Sequence, residues 1–244
     1  MAHNFFVLTT ARSGSSWLID TITHHPSLVA HGELFNPHLN RRSNEIPEFV
    51  FSEERRRFLR PVSVWKYLDS HIAGIERAGF KLLYGQVRRF PELLPYLLAH
   101  RLPAIHMVRE NPLNAIISAA IVYQVLGKWA LHEGDELTRS EFQVRLDPGN
   151  LIDNLEKRMR QIEFVRKYLR YFRVPHLEVR YEQLLNGIEA FDPIWPFLGV
   201  DAPPEGPVSD YEKIQTRTHA EVIENYPEID RVLTGTKFEG LLEK

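Results

Sequence analysis

The chain has no cysteine among its 244 residues and only 3 methionines. Disulfides, thiolate catalysis and cysteine-based zinc sites are therefore excluded, and a reducing compartment, the cytoplasm, is the expected location. No apolar run approaches the roughly 18 residues of a transmembrane helix. Residues 1–10 lack the basic flank and small-residue cleavage site of a secretory leader. Internal repeats and low-complexity tracts are also missing, so residues 1–244 are expected to form a single domain with one substantial core. The net charge of −2 excludes a general nucleic-acid binder. Its distribution is uneven, with 14 Lys/Arg against 10 Asp/Glu through Ala120 and 16 against 22 beyond it.

Apolar runs of strand length stand at Phe5 to Thr9, Leu28 to Ala30, Phe80 to Tyr84, Ala104 to Val108 and His176 to Tyr181. Helical patterns separate them: Ser15 to His24, the charged stretch 41–77 with Arg55 to Arg57 as a solvated face, Pro91 to His100, Leu113 to Leu126 after Pro112, and Leu151 to Phe172. On the last, Leu151, Leu155, Met159, Ile162, Val165 and Leu169 share one side. Broken helical segments over 182–198, a proline-rich loop over 201–208 and a helix near Pro227 to Leu233 complete the chain. Strands alternating with helices predict an α/β fold, a three-layer parallel sheet with helices on both faces. The polar stretch 127–150 is expected to be a functional loop.

The most informative segment is Phe5 to Asp20, FFVLTTARSGSSWLID. A buried strand breaks into a small hydroxyl-rich turn, Arg12-Ser13-Gly14-Ser15-Ser16, and enters a helix, so free backbone N–H groups and the positive helix end converge on one spot. Arg12 adds a planar fork of donors. The turn is not a Walker A loop, because its basic residue precedes the glycine. In open parallel sheets ligands sit beyond the C-terminal strand ends, and those ends carry Arg12, Gly32-Glu33, Lys81, Arg109 and Tyr181. Taken alone, each has an ordinary explanation as a charged strand end or a core tyrosine. The histidines His24, His25, His106 and His219 show no ligand spacing and read as structural, and no metal is expected.

Together these residues resemble the sulfotransferases that use 3′-phosphoadenosine 5′-phosphosulfate. The stretch Arg12 to Trp17 matches that family's [KR]-S-G-[ST]-[ST]-[WL] loop, and Arg109 followed by Ser118 matches its second motif. Further matches are GELFNP from Gly32, FKLLYGQ from Phe80, VRYEQLL from Val179, FLGV from Phe197 and ENYPEIDRVLTGT from Glu224. The branch most similar comprises bacterial enzymes acting on lipopolysaccharide, Nod-factor and trehalose-type sugars.

The resemblance implies a P-loop NTPase-like sulfotransferase fold and a metal-free transfer from the phosphosulfate donor, leaving adenosine 3′,5′-bisphosphate. The acceptor would be a hydroxyl on a carbohydrate or glycolipid. It implies that Arg12, Ser13, Gly14, Ser15, Ser16 and Trp17 hold the 5′-phosphosulfate and that Arg109 and Ser118 hold the 3′-phosphate. Tyr181 would lie against the adenine, and Lys213 and Arg217 fall where the family closes a loop over the donor. Arg12 and Lys81 would neutralise the leaving group. Many members place a catalytic histidine two residues after the lysine, where this chain has Leu83. Glu33 is the expected general base in its place, with His31 as second candidate. A nucleotide kinase and a non-catalytic nucleotide-binding module remain as other readings, both weakened by the loop chemistry and by the presence of Glu33 and Lys81.

Overall fold

Apolar residues at consecutive positions make a strand that can be covered on both sides, and three such strands form the middle of the molecule. In the computed structural model, which describes residues 4–36, 60–126, 143–210 and 217–242, they are β1 (Phe5–Thr9), β3 (Ala78–Leu83) and β4 (Ala104–Val108). The edges are β2 (Val29–Glu33) and β5 (His176–Arg180). All pairings are parallel, in the order β2-β3-β1-β4-β5. β1 is therefore central, and the loop that leaves it opens at the middle of the sheet's C-terminal edge.

Alternation along β1 divides the core in two. Phe6 and Leu8 pack with Phe80, Leu82 and Ala104 against α2 (Arg60–Ile72), α4 (Leu93–Ala99) and the far half of α6 (Leu151–Tyr171). Phe5 and Val7 face the other way, against α1 (Ser15–Thr23), α7 (Tyr181–Leu184) and α8 (Ile194–Phe197). This is the expected three-layer arrangement. A third apolar cluster joins α5 (Pro112–Ile121), the start of α6, Val144 and α10 (Tyr226–Leu233). Asn111 starts α5 by accepting from the N–H groups of Leu113 at 3.0 Å and Asn114 at 3.3 Å, with Pro112 in the first turn.

Several boundaries differ from the sequence reading. β2 continues through His31 and Gly32 to Glu33, so the carboxylate ends a strand rather than sitting in a loop. The helix expected over Pro91 to His100 is α4, a further helix that was not expected, α3 (Tyr84–Arg89), precedes it, and α5 continues as a π turn over Val122–Leu126. Tyr181 opens α7 instead of closing the last strand. On α6, Leu151, Leu155, Val165 and Leu169 are buried while Met159 is exposed, because the start of the helix packs in the third cluster and its far half against the sheet, with the middle left to solvent. α9 (His219–Val222) was not anticipated. Most of the expected functional loop, the Arg55 to Arg57 run and Lys213 lie outside the described residues. Among the described residues no helix is long and apolar enough to cross a membrane.

Candidate active site

The loop after β1 is shaped by two left-handed residues, Arg12 at φ 65° and Gly14 at φ 86°. Glycine adopts that conformation without steric cost, and here a second constraint acts. A Cβ on Gly14 would stand 2.2 Å from Tyr181 Cδ2, so the Tyr181 ring lies directly on the glycine backbone. No side chain caps the helix at Gly14, which leaves the first-turn N–H groups of α1 for another partner. The loop's carbonyls are turned outward to arginines: Arg109 Nη1 donates to the Arg12 oxygen at 3.1 Å and Arg158 Nη1 to the Ala11 oxygen at 3.3 Å.

Inside the loop, Thr9 Oγ lies 2.6 Å from Ser13 Oγ and 2.7 Å from the Met107 carbonyl. A hydroxyl has one proton, so Thr9 donates to the carbonyl and accepts from Ser13, which ties the loop to β4. Arg12 spans the gap to α5, donating to Ser118 Oγ from Nη2 at 2.9 Å and from Nε at 3.1 Å. The two halves of the expected donor site, far apart in sequence, are thus in direct contact. Arg109 also stands 4.7 Å from the centre of the Tyr181 ring, with Glu182 3.9 Å from its Nε. Trp17 meets Tyr181 and Phe191 edge-on, a packing contact between α1 and the segment after β5.

Three guanidinium groups share this corner. Burial, followed by the charge of Arg109, lowers the pKa of both Arg12 and Arg158. Desolvated like charges are unfavourable alone, and an anion bound among them relieves both terms. Arg158 escaped the sequence reading. Its signal was there in the spacing of Asn154, Lys157, Arg158 and Gln161, which share one face of α6.

Glu33 forms a second, paired group. Its Oε1 is 3.0 Å from Lys81 Nζ, and Oε2 accepts from Asn36 Nδ2 at 2.9 Å and Gln86 Nε2 at 3.1 Å. A bulge between His31 and Glu33 brings Glu33 beside Lys81 in the β2–β3 register. Lys81, only 7% exposed, donates in addition to Ser16 Oγ at 3.0 Å and so links the carboxylate to the loop. Glu33 meets an open cavity of about 500 Å³ lined by Thr10, Ala11, Tyr84, Gln86 and Arg158 among others. His31 does not line it. Its Nε2 lies 3.1 Å from the His71 carbonyl, and burial lowers its pKa.

Behind Tyr84, which lines this cavity, runs a polar chain through His106, a residue that the sequence reading took as structural. His106 has no solvent exposure, with Nδ1 3.2 Å from Glu178 Oε2 and Nε2 2.5 Å from the Tyr84 hydroxyl. The carboxylate can only accept, so Nδ1 carries the proton and Tyr84 donates to Nε2. Arg166 grips Glu178 with two bonds of 2.7 and 2.8 Å. Burial pushes the His106 pKa down to about 4, against the weaker pull of Glu178.

Arg217 stands two residues before α9. The reading that His24 lacks ligand spacing is corrected: Asp20, His24 and Asp210 offer ligand atoms within 4.8 Å of one another. Asp20 Oδ2 is engaged there in a turn, accepting from Ser209 Oγ and the Asp210 N–H, each at 2.7 Å.

No protein-family model and no curated protein matches the chain. Among solved structures it is similar to mouse sulfotransferase SULT7A1 complexed with PAP, at 14% identity over 84% of this chain and 61% of that one, with a TM-score of 0.43. It is also similar to a sulfotransferase from Alicyclobacillus acidocaldarius, at 15% identity over 99% of this chain and 96% of that one, with a TM-score of 0.48. Both are sulfotransferases. The chain spans about three fifths of the mouse chain's length. At such identities and TM-scores the likeness carries no functional weight, and side-chain geometry has to decide.

Proposed function

We propose that this chain is a sulfotransferase that moves the sulfuryl group of 3′-phosphoadenosine 5′-phosphosulfate to a hydroxyl on a carbohydrate or glycolipid, and that it works in the cytoplasm without a metal. The observation that carries the reading is the direct contact of Arg12 with Ser118, with Arg109 on the Arg12 carbonyl. It joins the two motifs on which the family resemblance rests. The first-turn amides of α1, Arg12 and Ser13 to Ser16 suit the 5′-phosphosulfate, while Arg109 and Ser118 suit the 3′-phosphate. Arg158 adds a third guanidinium between donor and cavity. Tyr181 packs under the loop and beside Arg109, the side chain through which it would meet an adenine.

Sulfuryl transfer asks for alignment and for neutralisation of the leaving phosphate. The donor supplies the activated sulfuryl group. Glu33 takes the acceptor hydroxyl's proton as that oxygen bonds to sulfur and the sulfur's bond to the 5′-phosphate oxygen breaks. Arg12, Lys81 and the loop amides receive the charge that develops on the departing phosphate. Asn36 and Gln86 hold one carboxylate oxygen of Glu33 and Lys81 the other, which fixes the direction of proton transfer.

Ligand choice tests the reading. Adenosine 3′,5′-bisphosphate is expected to raise the melting temperature and ATP with magnesium to leave it unchanged. Arg109→Ala should weaken bisphosphate binding by roughly 30-fold or more, the scale of a charge-assisted contact to a phosphate. Calorimetric affinity unaltered by that substitution removes the 3′-phosphate assignment, and stabilisation by ATP instead points to a kinase.

A further inference from the structure

The cavity beside Glu33 carries a charge pattern that proton transfer does not use. Asn154, Lys157, Arg158 and Gln161 all line it, at the i, i+3, i+4, i+7 spacing of a single helix face. That face differs from the rest of α6. Arg160 is paired with Glu156 at 2.8 Å and Arg166 with Glu178 at 2.7 Å, whereas Lys157 and Arg158 have no carboxylate partner among the described residues. Arg89 of α3 lines the cavity as well. Among the described lining residues Glu33 is the single acid, and Lys81 already sits on it at 3.0 Å. Among the described lining residues Lys157 and Arg158 thus add positive charge that no lining acid offsets, with the amides of Asn154 and Gln161 flanking them as hydrogen-bonding groups.

We infer that the acceptor is anionic: a hydroxyl compound that also bears a phosphate or carboxylate group, held by Lys157 and Arg158 while its hydroxyl meets Glu33. This rests on the sulfuryl-transfer reading for the role of Glu33, but the anion preference itself comes from the α6 face. A neutral sugar leaves those cations unmatched. An acceptor with a second anionic group satisfies them and is oriented at two points, hydroxyl and anion, which a ring bound by hydroxyls alone is not.

The test uses matched pairs titrated calorimetrically into full-length protein saturated with adenosine 3′,5′-bisphosphate, so that the loop cluster is filled. Glucose is compared with glucose 6-phosphate, and methyl glucoside with methyl glucuronide, which separates phosphate from carboxylate as the preferred group. At least one anionic partner should bind roughly ten-fold more tightly than its neutral mate at low salt, and the gain should shrink as salt rises. Lys157→Glu, an exposed substitution, should abolish the gain and leave the bisphosphate affinity as it was. Equal or undetectable binding within both pairs overturns the inference, as does a gain that survives Lys157→Glu. If the bisphosphate itself fails to bind but the gain appears, persists in Arg109→Ala and disappears in Lys157→Glu, the anion site stands and the sulfuryl-transfer reading falls.

Discussion

Two polar clusters lie near the C-terminal half of the sheet, and they are built on opposite principles. At the loop, Arg12, Arg109 and Arg158 crowd together, with Glu182 3.9 Å from Arg109. Under α3, the Tyr84–His106–Glu178–Arg166 chain is closed, each donor meeting an acceptor. Folding alone favours the second kind, because desolvated groups that satisfy one another cost little. The first kind gathers like charge at one point, which suits an anion from outside the chain. Clustered like charge thus marks the ligand end of the sheet, and mutually satisfied polarity marks its frame.

The comparison breaks most sharply at Gly14. A Cβ there collides with the Tyr181 ring at 2.2 Å and is strained at φ 86° as well. Gly14→Ala should cost about 3 kcal/mol and, by displacing the loop, remove bisphosphate binding. Denaturant melts together with titration check both effects. Retained affinity would show that the loop is not the anion site.

Glu33 sharpens the contrast, since it is paired like the buried chain yet opens on the cavity as Arg158 does. Glu33→Gln keeps the shape and should lower turnover by roughly 100-fold, about 2.7 kcal/mol of barrier. Stability and bisphosphate affinity should change little. Single-turnover rates with saturating donor measure it, and a wild-type rate takes Glu33 out of the mechanism.

How much of this was legible in the chain depends on where each residue sits. β1, β3 and β4 were found because burial on both faces makes them continuous apolar runs. β2 was cut short: VAHGE lies at the sheet edge, half in solvent, and lacks that signature. α3 was missed because YGQVRR shows no apolar period, its task being to carry Tyr84 and Gln86 to their partners. Arg12, Glu33, Lys81, Arg109 and Ser118 were legible as strand-end chemistry and by resemblance. Arg158 had only its place on a polar face of α6 to mark it and His106 had no local mark, because what each one meets depends on distances between elements far apart in sequence.

The smallest expected effect belongs to the compensated cluster. His106→Leu leaves the Tyr84 hydroxyl and one bond to Glu178 without a partner and should cost about 2 kcal/mol of stability, with bisphosphate affinity unchanged. Its pH dependence separates this from a plain packing defect. In the folded protein burial holds the His106 pKa near 4, below the value of about 6.5 in an unfolded chain. Between those values the unfolded state binds the extra proton, so stability rises with pH through that window and is lost as pH falls from about 6.5 toward 4. Glu178, held below the usual carboxylate range chiefly by Arg166, adds a loss of the same sign at lower pH. The groups facing His106 are Tyr84, Glu178 and Arg166, with His176 contributing a weak charge of its own. Melts of wild type and His106→Leu from pH 7 to 4.5 should therefore converge on acidification. Parallel curves would mean that His106 titrates normally and that the buried chain is not closed in the way its distances indicate.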